Sequence, residues 1–298
     1  MTRPVDLHTH STKSDGSYTP TELIDYAVEK GLAAIALTDH DTTDGLDEAI
    51  GHAASLTAQG RPSVEVIPGI ELSTEYNKKD IHMVGLFVSY QSPAFQKKLQ
   101  SFVDSRILRN QKMCANLREA GIDISYEKLL DAFPGSVITR GHYATYLMEH
   151  GYVKSRKDAF SQYLGDHTKY FVPREKVSTS EAVHLILDAG GVPILAHPTL
   201  YHMGSDALDQ LVHLLKDAGL IGIEAIYSTY TNQEQRDIMR LASKYDLLPS
   251  GGSDFHGSNK PGLDLAVGYG GLFVPDEILE NIRMAAKSVA IRSEKGSL

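Results

Sequence analysis

Short apolar runs alternate with helical patterns along most of the chain, and this alternation limits the folds open to it. The strand-like runs include LAAIALTDH (32–40), VEVIPGIELS (64–73), IHMVGLFVS (81–89) and GIEAIY (222–227). Helical patterns with capping signals lie between several of them, as where Thr19 precedes Pro20 and Glu22. Strand–helix alternation of this kind is typical of a mostly parallel sheet or barrel.

The alternation stops after residue 90 and resumes near residue 176. Between these points the pattern is helical and richer in charge, and residues 92–121 read as one long helix. The sequence therefore predicts an α/β barrel over 1–92 and 176–298, interrupted by a mostly helical insertion over 93–175 that caps the substrate. With 42% hydrophobic residues among 298, the chain is long enough for one large core, or for a large and a small one.

Composition excludes several classes of protein. No apolar run reaches 18 residues, so no membrane helix is expected, and the N-terminal residues do not resemble a signal peptide. The single cysteine, Cys114, permits no internal disulfide, which suits a cytoplasmic protein and leaves nitrogen and oxygen as metal ligands.

The charge is unevenly distributed along the chain. The formal net charge is −9, yet 90–175 holds 13 Lys and Arg against 9 Asp and Glu. An acidic protein is a poor general binder of long nucleic acid, which requires many phosphate contacts. A basic segment beside an acidic body favours a small anionic substrate, although ordinary surface variation would also produce such a difference.

Metal-capable side chains recur where the apolar runs end. Because the carboxyl ends of parallel barrel strands meet on one face, residues far apart in sequence would gather there. They are His8 and His10 after VDL, Asp39, His40 and Asp41 after AIALT, Glu71 after VIPGI, His197 after PILA, and Asp254 and His256 after LLPSGGS. Imidazole and carboxylate together suit Mn, Fe or Zn. His82 is an exception, since it precedes its apolar run.

A single histidine after a strand is usually a polar residue satisfied by its neighbours, but recurrence at strand after strand favours a metal site. The remaining histidines of helical segments carry no predicted role: His52, His150, His184 and His213.

The motifs HTHSTKSDG, TDHDT, GIELS, AHP and GSDFHG together resemble the ordered motifs of the polymerase and histidinol phosphatase (PHP) family. The resemblance covers 1–90 and about 177–290, and implies a distorted (β/α)7 TIM-like barrel with two or three divalent ions, Mn, Fe or Zn. By this resemblance one ion is held by His8, His10, Glu71 and Asp254, a second by Glu71, His82 and His197, and a third by Asp15, His40 and His256.

The insertion resembles that of small PHP phosphoesterases acting on nucleotide-like substrates. There, a segment like ITRGHYA supplies an arginine and a histidine to the substrate phosphate, here Arg140 and His142, with Lys169 as a further predicted contact. Gly141 stands where related members have proline. A guanidinium binds two phosphate oxygens at once, which lysine cannot reproduce. The alternative is that Arg140 only begins or packs a helix.

These features predict a metal-dependent phosphoric ester hydrolase. The expected substrate is a small phosphorylated metabolite, most simply a nucleoside 3′,5′-bisphosphate, attacked by hydroxide formed as two close ions lower the pKa of a shared water. His197, Asp254 and Arg140 are the predicted catalytic residues. The alternatives are a 5′-3′ exonuclease on short oligonucleotides, a cyclic-phosphate phosphodiesterase and a non-catalytic metal-binding accessory module. No Walker-type loop or GxSxG motif is present.

Overall fold

A computed structural model describes residues 2–173 and 177–296. Seven strands form one sheet in the order of the chain. They are β1 (Val5–Thr9), β2 (Ala34–Leu37), β3 (Glu65–Tyr76), β4 (Lys79–Leu86), β5 (Val192–Leu195), β6 (Gly222–Tyr227) and β7 (Leu248–Gly252).

Helices connect and surround these strands. They are α1 (Pro20–Glu29), α2 (Leu46–Ala58), α3 (Pro93–Glu119), α4 (Tyr126–Ala132), α5 (Arg140–Glu149), α6 (Arg156–Ala159), α7 (Thr179–Asp188), α8 (Ser205–Asp217), α9 (Asn232–Lys244) and α10 (Asp276–Gly296). The predicted capping box is present at α1, where the Thr19 side chain accepts from the Glu22 amide. Within residues 2–173 and 177–296, no helix combines the length and apolar character that a membrane span requires.

One strand runs against the others. The pairs β1–β2, β2–β3, β5–β6 and β6–β7 are parallel, whereas β4 is antiparallel to both β3 and β5. A hairpin joins β3 to β4 through Asn77 and Lys78, which have φ of 50° and 64°. The N-terminal end of β4 therefore lies at the edge where the parallel strands finish, and this places His82 beside the strand-end residues.

The two outer strands approach each other and nearly close the barrel. The Asp254 amide donates to the His8 carbonyl at 2.9 Å, and the His10 amide donates to the Phe255 carbonyl at 3.0 Å. Gly252 allows this approach, because a Cβ there would lie 2.5 Å from the Cβ of His8. The prediction of a distorted TIM-like α/β barrel is confirmed.

Apolar residues of the strands fill the space between the sheet and the helices. Leu7, Ile35, Ile67 and Ile194 are each no more than 1% exposed. Burying a side chain of this size stabilises the fold by roughly 1.5–3 kcal/mol. The strand ends are thus held by a close-packed frame, which fixes the positions of the polar residues that follow them.

The helices α3 to α6 pack around a cluster of their own, which includes Met113, Leu117, Tyr143 and Leu147. The predicted helical character of this part is confirmed, and α3 matches the long helix expected over 92–121. The predicted boundary at 175/176 lies outside the described residues, and the substrate-capping role of 93–175 stays a prediction.

Candidate metal centre

Glu71 lies at the centre of a group of five histidines contributed by four strands or strand ends, those of β1, β2, β4 and β5. It is 1% exposed, and its two oxygens face different histidines. Oε2 lies 3.2 Å from His8 Nε2, 3.2 Å from His10 Nε2 and 3.0 Å from His40 Nδ1, and Oε1 lies 2.9 Å from His82 Nδ1 and 3.0 Å from His197 Nε2. A carboxylate with both oxygens used in this way has the geometry of a bridging ligand.

Asp254 faces the same group from the end of β7. Its Oδ1 lies 3.3 Å from His10 Nε2 and 3.3 Å from His256 Nδ1. Its Oδ2 accepts a hydrogen bond from the Tyr227 hydroxyl at 2.6 Å and is paired with Lys260. The tyrosine and the lysine therefore orient the carboxylate, so that Oδ1 is the oxygen presented to the histidines.

Asp15 completes a third part of the group. Its Oδ1 lies 3.2 Å from His256 Nε2 and 3.8 Å from His40 Nε2. Its Oδ2 accepts a hydrogen bond at 2.6 Å from Thr139, a residue of the helical insertion.

The backbone is strained at two of these positions. His197 has a φ of 25° and Asp254 a φ of 56°, values that L-residues rarely adopt. Such strain persists only where the surrounding structure enforces it, and it concentrates at functional sites.

The donor atoms fit divalent cations. Four overlapping sets place one ligand atom from each member within 4.8 Å of the others: His10, Asp15, His40 and His256; His8, His10 and Asp254; His8, Glu71 and His197; and His40, Glu71 and His82. Several of these buried atoms make no hydrogen bond among the described residues, namely His8 Nε2, His10 Nε2, Asp15 Oδ1, His40 Nδ1, Glu71 Oε2 and His197 Nδ1. Buried polar atoms are rarely left without a partner, and a bound cation would satisfy them.

The electrostatics of the group also favour a cation. Burial opposes protonation of His10, but contacts with Asp254 and Glu71 raise its pKa to about 9. Burial likewise opposes protonation of His8, yet the charges of Glu71, Glu224 and Asp254 raise its pKa well above the usual value. A metal ion would have to displace these protons, and it would then neutralise the same carboxylates.

Glu224 is a site residue that the sequence reasoning missed. It lies in the middle of β6, is 2% exposed, and accepts from two ligand-bearing residues. Its Oε1 lies 3.1 Å from His8 Nδ1, and its Oε2 accepts the His197 amide at 2.7 Å. The available signal was an acid within the apolar run GIEAIY, because a buried carboxylate needs partners.

A cavity of about 330 Å³ opens above the histidine group, and its walls differ in charge. The barrel contributes the carboxylates and imidazoles, together with Lys260. The insertion contributes four arginines, Arg106, Arg109, Arg140 and Arg156. The cavity thus joins a region that suits cations to a region that suits anions.

Arg140 lies on the cavity wall as the first residue of α5, and its contact with a substrate phosphate stays a prediction. Its Nη2 is 2.9 Å from Asp80 Oδ2, and its Nη1 donates to the Leu164 carbonyl at 3.3 Å. The rings of Phe160 and Phe171 lie 5.9 Å and 5.3 Å from its guanidinium carbon. These contacts hold the guanidinium in one orientation.

Arg106 was also missed and ties the insertion to the barrel. Its Nη2 lies 2.6 Å from Asp41 Oδ2 and donates to the Ser73 hydroxyl at 2.6 Å. Arg106 is 3% exposed and Asp41 is fully buried. Removing one member of such a pair typically costs 3–5 kcal/mol, because the other charge is left buried without compensation.

The other two predicted substrate contacts lie away from the cavity lining. His142 is buried, its Nδ1 accepts the Thr139 amide at 3.1 Å, and burial lowers its pKa to about 4. It therefore acts as part of the α5 capping box. Lys169 is exposed beside Tyr170. Contact of either residue with a substrate stays a prediction, and this geometry does not favour it.

Curated relatives match most of the chain. It is 34% identical over 262 residues to a 3′,5′-nucleoside bisphosphate phosphatase of Chromobacterium violaceum, covering 88% of this chain and 90% of the relative. It is 38% identical to a 5′-3′ exoribonuclease of Haemophilus influenzae, with coverage of 86% and 91%. A phosphoribosyl 1,2-cyclic phosphate 1,2-diphosphodiesterase of Eggerthella lenta is 30% identical, with coverage of 85% and 94%.

Solved structures agree in fold. An amidohydrolase from Chromobacterium violaceum, solved with sulfate and no metal, has a TM-score of 0.80 at 34% identity, covering 88% of this chain and 90% of that one. A protein from Bifidobacterium adolescentis assigned as a metal-dependent phosphoesterase also has a TM-score of 0.80, at 27% identity and with coverage of 94% and 95%.

The names of the three curated relatives all describe hydrolysis of phosphate esters, and the predicted class of phosphoric ester hydrolase is confirmed. The profile of the PHP domain matches residues 6–178, which include the first six of the predicted metal ligands in chain order. The chain therefore belongs to the PHP domain family.

Proposed function

We propose that this phosphoesterase removes phosphate from a small phosphorylated metabolite, best represented by a nucleoside 3′,5′-bisphosphate. The observation that carries the proposal is that Glu71, three of the histidines that contact it (His40, His82 and His197) and Arg140 line one cavity. A phosphate bound there would meet cations on one side and a guanidinium on the other. The 34% identity to a phosphatase of this substrate class supports the choice.

The proposed ligands are those that the sequence predicts, with Glu71 bridging, and they would hold two or three ions of Mn, Fe or Zn. They are His8, His10, Asp15, His40, Glu71, His82, His197, Asp254 and His256. When bound, such ions lower the pKa of a water and neutralise charge on phosphate oxygens.

The chain's own side chains supply position and protons. Arg140, fixed by Asp80, offers its remaining N–H groups to the phosphate. Asp254 presents Oδ1 to the histidine group because Tyr227 and Lys260 hold Oδ2. His197 is the proposed proton donor to the leaving oxygen, because it lines the same cavity as Arg140.

The cavity volume is compatible with a small substrate. About 330 Å³ lies near the lower end of the range for small-molecule sites and suits one nucleotide better than a polymer. The net charge of −9 also disfavours long nucleic acid. The second candidate is 5′-3′ exonuclease action on short oligonucleotides, which the 38% identity to an exoribonuclease favours.

A substrate panel with added Mn tests the proposal. Adenosine 3′,5′-bisphosphate, 3′-AMP, a cyclic phosphate and a 5′-phosphorylated trinucleotide would be compared by kcat/KM, with a chelated sample as the control. The bisphosphate should give the highest value. Stepwise release of mononucleotides at a higher kcat/KM would favour the exonuclease, and no turnover of any ester would leave only a binding module.

Metal content is measured separately, on protein purified without chelator after growth in Mn. Elemental analysis should find two or three transition-metal equivalents per chain. Less than half an equivalent, with none regained on incubation with Mn, would contradict the proposed cluster.

A further inference from the structure

The loop that carries Asp15 is bonded to the helical insertion. Three hydrogen bonds join the two segments: Ser136 Oγ to Thr12 O at 2.6 Å, Val137 N to Lys13 O at 2.9 Å, and Thr139 Oγ1 to Asp15 Oδ2 at 2.6 Å. The last bond reaches a carboxylate of the proposed metal cluster directly. One side of the cluster is therefore supported from outside the barrel.

Thr139 directs its hydroxyl proton at Asp15, because its hydroxyl oxygen and its backbone amide already make hydrogen bonds within the start of α5. It is the N-cap of α5, and its oxygen accepts the Gly141 amide at 3.1 Å. Its own amide donates to His142 Nδ1, which fixes the backbone at the cap. A hydroxyl has one proton, and with its acceptor side turned to the helix that proton points to the carboxylate.

Position 141 has no room for a side chain where α5 contacts Asp15. A Cβ at position 141 would lie 2.5 Å from Asp15 Oδ2 and 3.1 Å from Thr139 Oγ1. Asp15 cannot retreat freely, because its Oδ1 lies 3.2 Å from His256 Nε2. Because Gly141 has no side chain, the first turn of α5 can contact the Asp15 carboxylate. The same carboxylate is thereby held against His256.

We propose that Thr139 and Gly141 are positioning residues of the metal cluster, and that the set formed by His10, Asp15, His40 and His256 is complete only when the insertion is docked. The proposal rests on the proposed metal-dependent function. The insertion holds Asp15 Oδ2 so that Oδ1 faces the two histidines. Since α5 begins with Arg140, phosphate binding at α5 and metal binding at this set are coupled, and each strengthens the other by the same factor.

The first test compares metal binding in Thr139→Val and Thr139→Ser by titration of chelated protein with Mn, read by calorimetry and elemental analysis. Valine removes the hydroxyl, and one metal equivalent should bind roughly 10- to 100-fold more weakly, the scale for losing support of a ligand. Serine keeps the hydroxyl and should restore most of the affinity. The other equivalents should be unchanged.

Ser155→Ala is the matched control for loss of a helix cap. Ser155 caps α6 by accepting the Asp158 amide at 3.1 Å, in the same insertion, and it is absent from the donor sets of the cluster. It should destabilise a helix without changing metal affinity. If Thr139→Val and Ser155→Ala both bind every equivalent as the parent does, the positioning role is wrong.

Gly141→Ala keeps the proposal testable if Thr139→Val fails to fold. It leaves the threonine hydroxyl in place and pushes against Asp15, so the same equivalent should weaken. Parent affinity in Gly141→Ala would overturn the spatial argument. A parent protein that binds no divalent metal would instead overturn the proposed function itself, so the two failures are distinguishable.

Hydrogen exchange gives a readout independent of activity. The Val137 amide donates across the junction, so Mn should slow exchange of the amides of 136–142 in the parent and in Thr139→Ser. The slowing should be lost in Thr139→Val. If Mn does not change the exchange rates of the amides of 136–142 in the parent, the proposed coupling between metal binding and the insertion is wrong.

Discussion

The two walls of the cavity are built by different means. The barrel wall collects imidazoles and carboxylates from strand ends as distant as His8 and Asp254, and these groups are nearly all buried. The insertion wall presents arginines from helices, held by single acids such as Asp80 and Asp41. The first wall suits bound cations and the second offers positive charge of its own. A phosphate ester is the kind of ligand that uses both walls. The charged side chains of the two walls can be substituted one at a time.

Removing Glu71, the carboxylate at the centre of the barrel wall, should have the largest effect on activity. Glu71→Ala deletes a carboxylate that contacts five histidines, so both metal content and turnover should fall. We expect kcat/KM to drop roughly 10³-fold, equivalent to about 4 kcal/mol of transition-state stabilisation. His82→Ala, which removes one ligand at the edge, should cost less. Glu65→Ala on the same strand is the control, and a Glu71→Ala enzyme as active as this control would exclude Glu71 from the site.

The role of Arg140 should be separable from metal binding, because the insertion supports Asp15 through Thr139 and not through Arg140. Arg140→Ala should lower kcat/KM by roughly 10²-fold, the scale of a lost charge-assisted contact of ~3 kcal/mol, while metal content and thermal unfolding stay nearly unchanged. Arg140→Lys should recover only part of the loss. Lys154→Ala, which alters an exposed cation of the insertion outside the cavity lining, should leave kcat/KM unchanged. Loss of metal or of folding in Arg140→Ala, without a selective loss on phosphate substrates, would mean that the two walls are not distinct.

Removing Glu224, which positions His8 and His197 from behind, should affect the protein less than removing Glu71. Glu224→Ala removes the acceptor that orients His8 and the His197 amide, and metal affinity should fall roughly 10- to 100-fold. Thr9→Val is the control, because it removes a buried hydrogen bond from the Thr9 hydroxyl on β1 to the Ala36 carbonyl on β2, and neither residue is a proposed ligand. Equal Mn affinity in the two variants would show that Glu224 is only a packing residue.

The last effect concerns pH and is confined to the chelated protein. The folded chain keeps a proton on His10 up to a pKa of about 9, whereas the unfolded chain loses it near 6.5. This contribution to stability is therefore fully present below pH 6.5 and is lost as the pH rises toward 9. The free energy of unfolding should fall by up to about 1.4 kcal/mol per pH unit in that window. Urea unfolding at pH 6.5, 7.5 and 8.5 measures it, and the Mn-loaded protein should lack the decline.

The sequence predicted the grouping of most barrel-wall residues, because they lie at or near the ends of apolar runs that could be recognised locally. His10 and Asp254 could be placed on one face from strand direction alone. His82 could not, because its position depends on β4 running antiparallel. The turn residues Asn77 and Lys78 between two apolar runs were the signal for that hairpin.

The insertion wall was predicted less well, because its contacts depend on how helices dock. Arg140 was found from a motif, but the target of Arg106 is an aspartate 65 residues away, which no local pattern reveals. His142 was expected at the substrate; its side chain accepts the Thr139 amide as part of the α5 capping box, which no local pattern singled out, and its contact with a substrate stays a prediction. Glu224 was hidden in an apolar strand.

Anomalous diffraction from crystals of the Mn-grown protein, soaked with inorganic phosphate and measured on both sides of the Mn edge, tests the division of the cavity most directly. The account predicts two or three Mn peaks within ligand distance of the group centred on Glu71, and a phosphate between them and Arg140. Absence of any metal peak in that group, in crystals whose cavity is open to solvent, would contradict it.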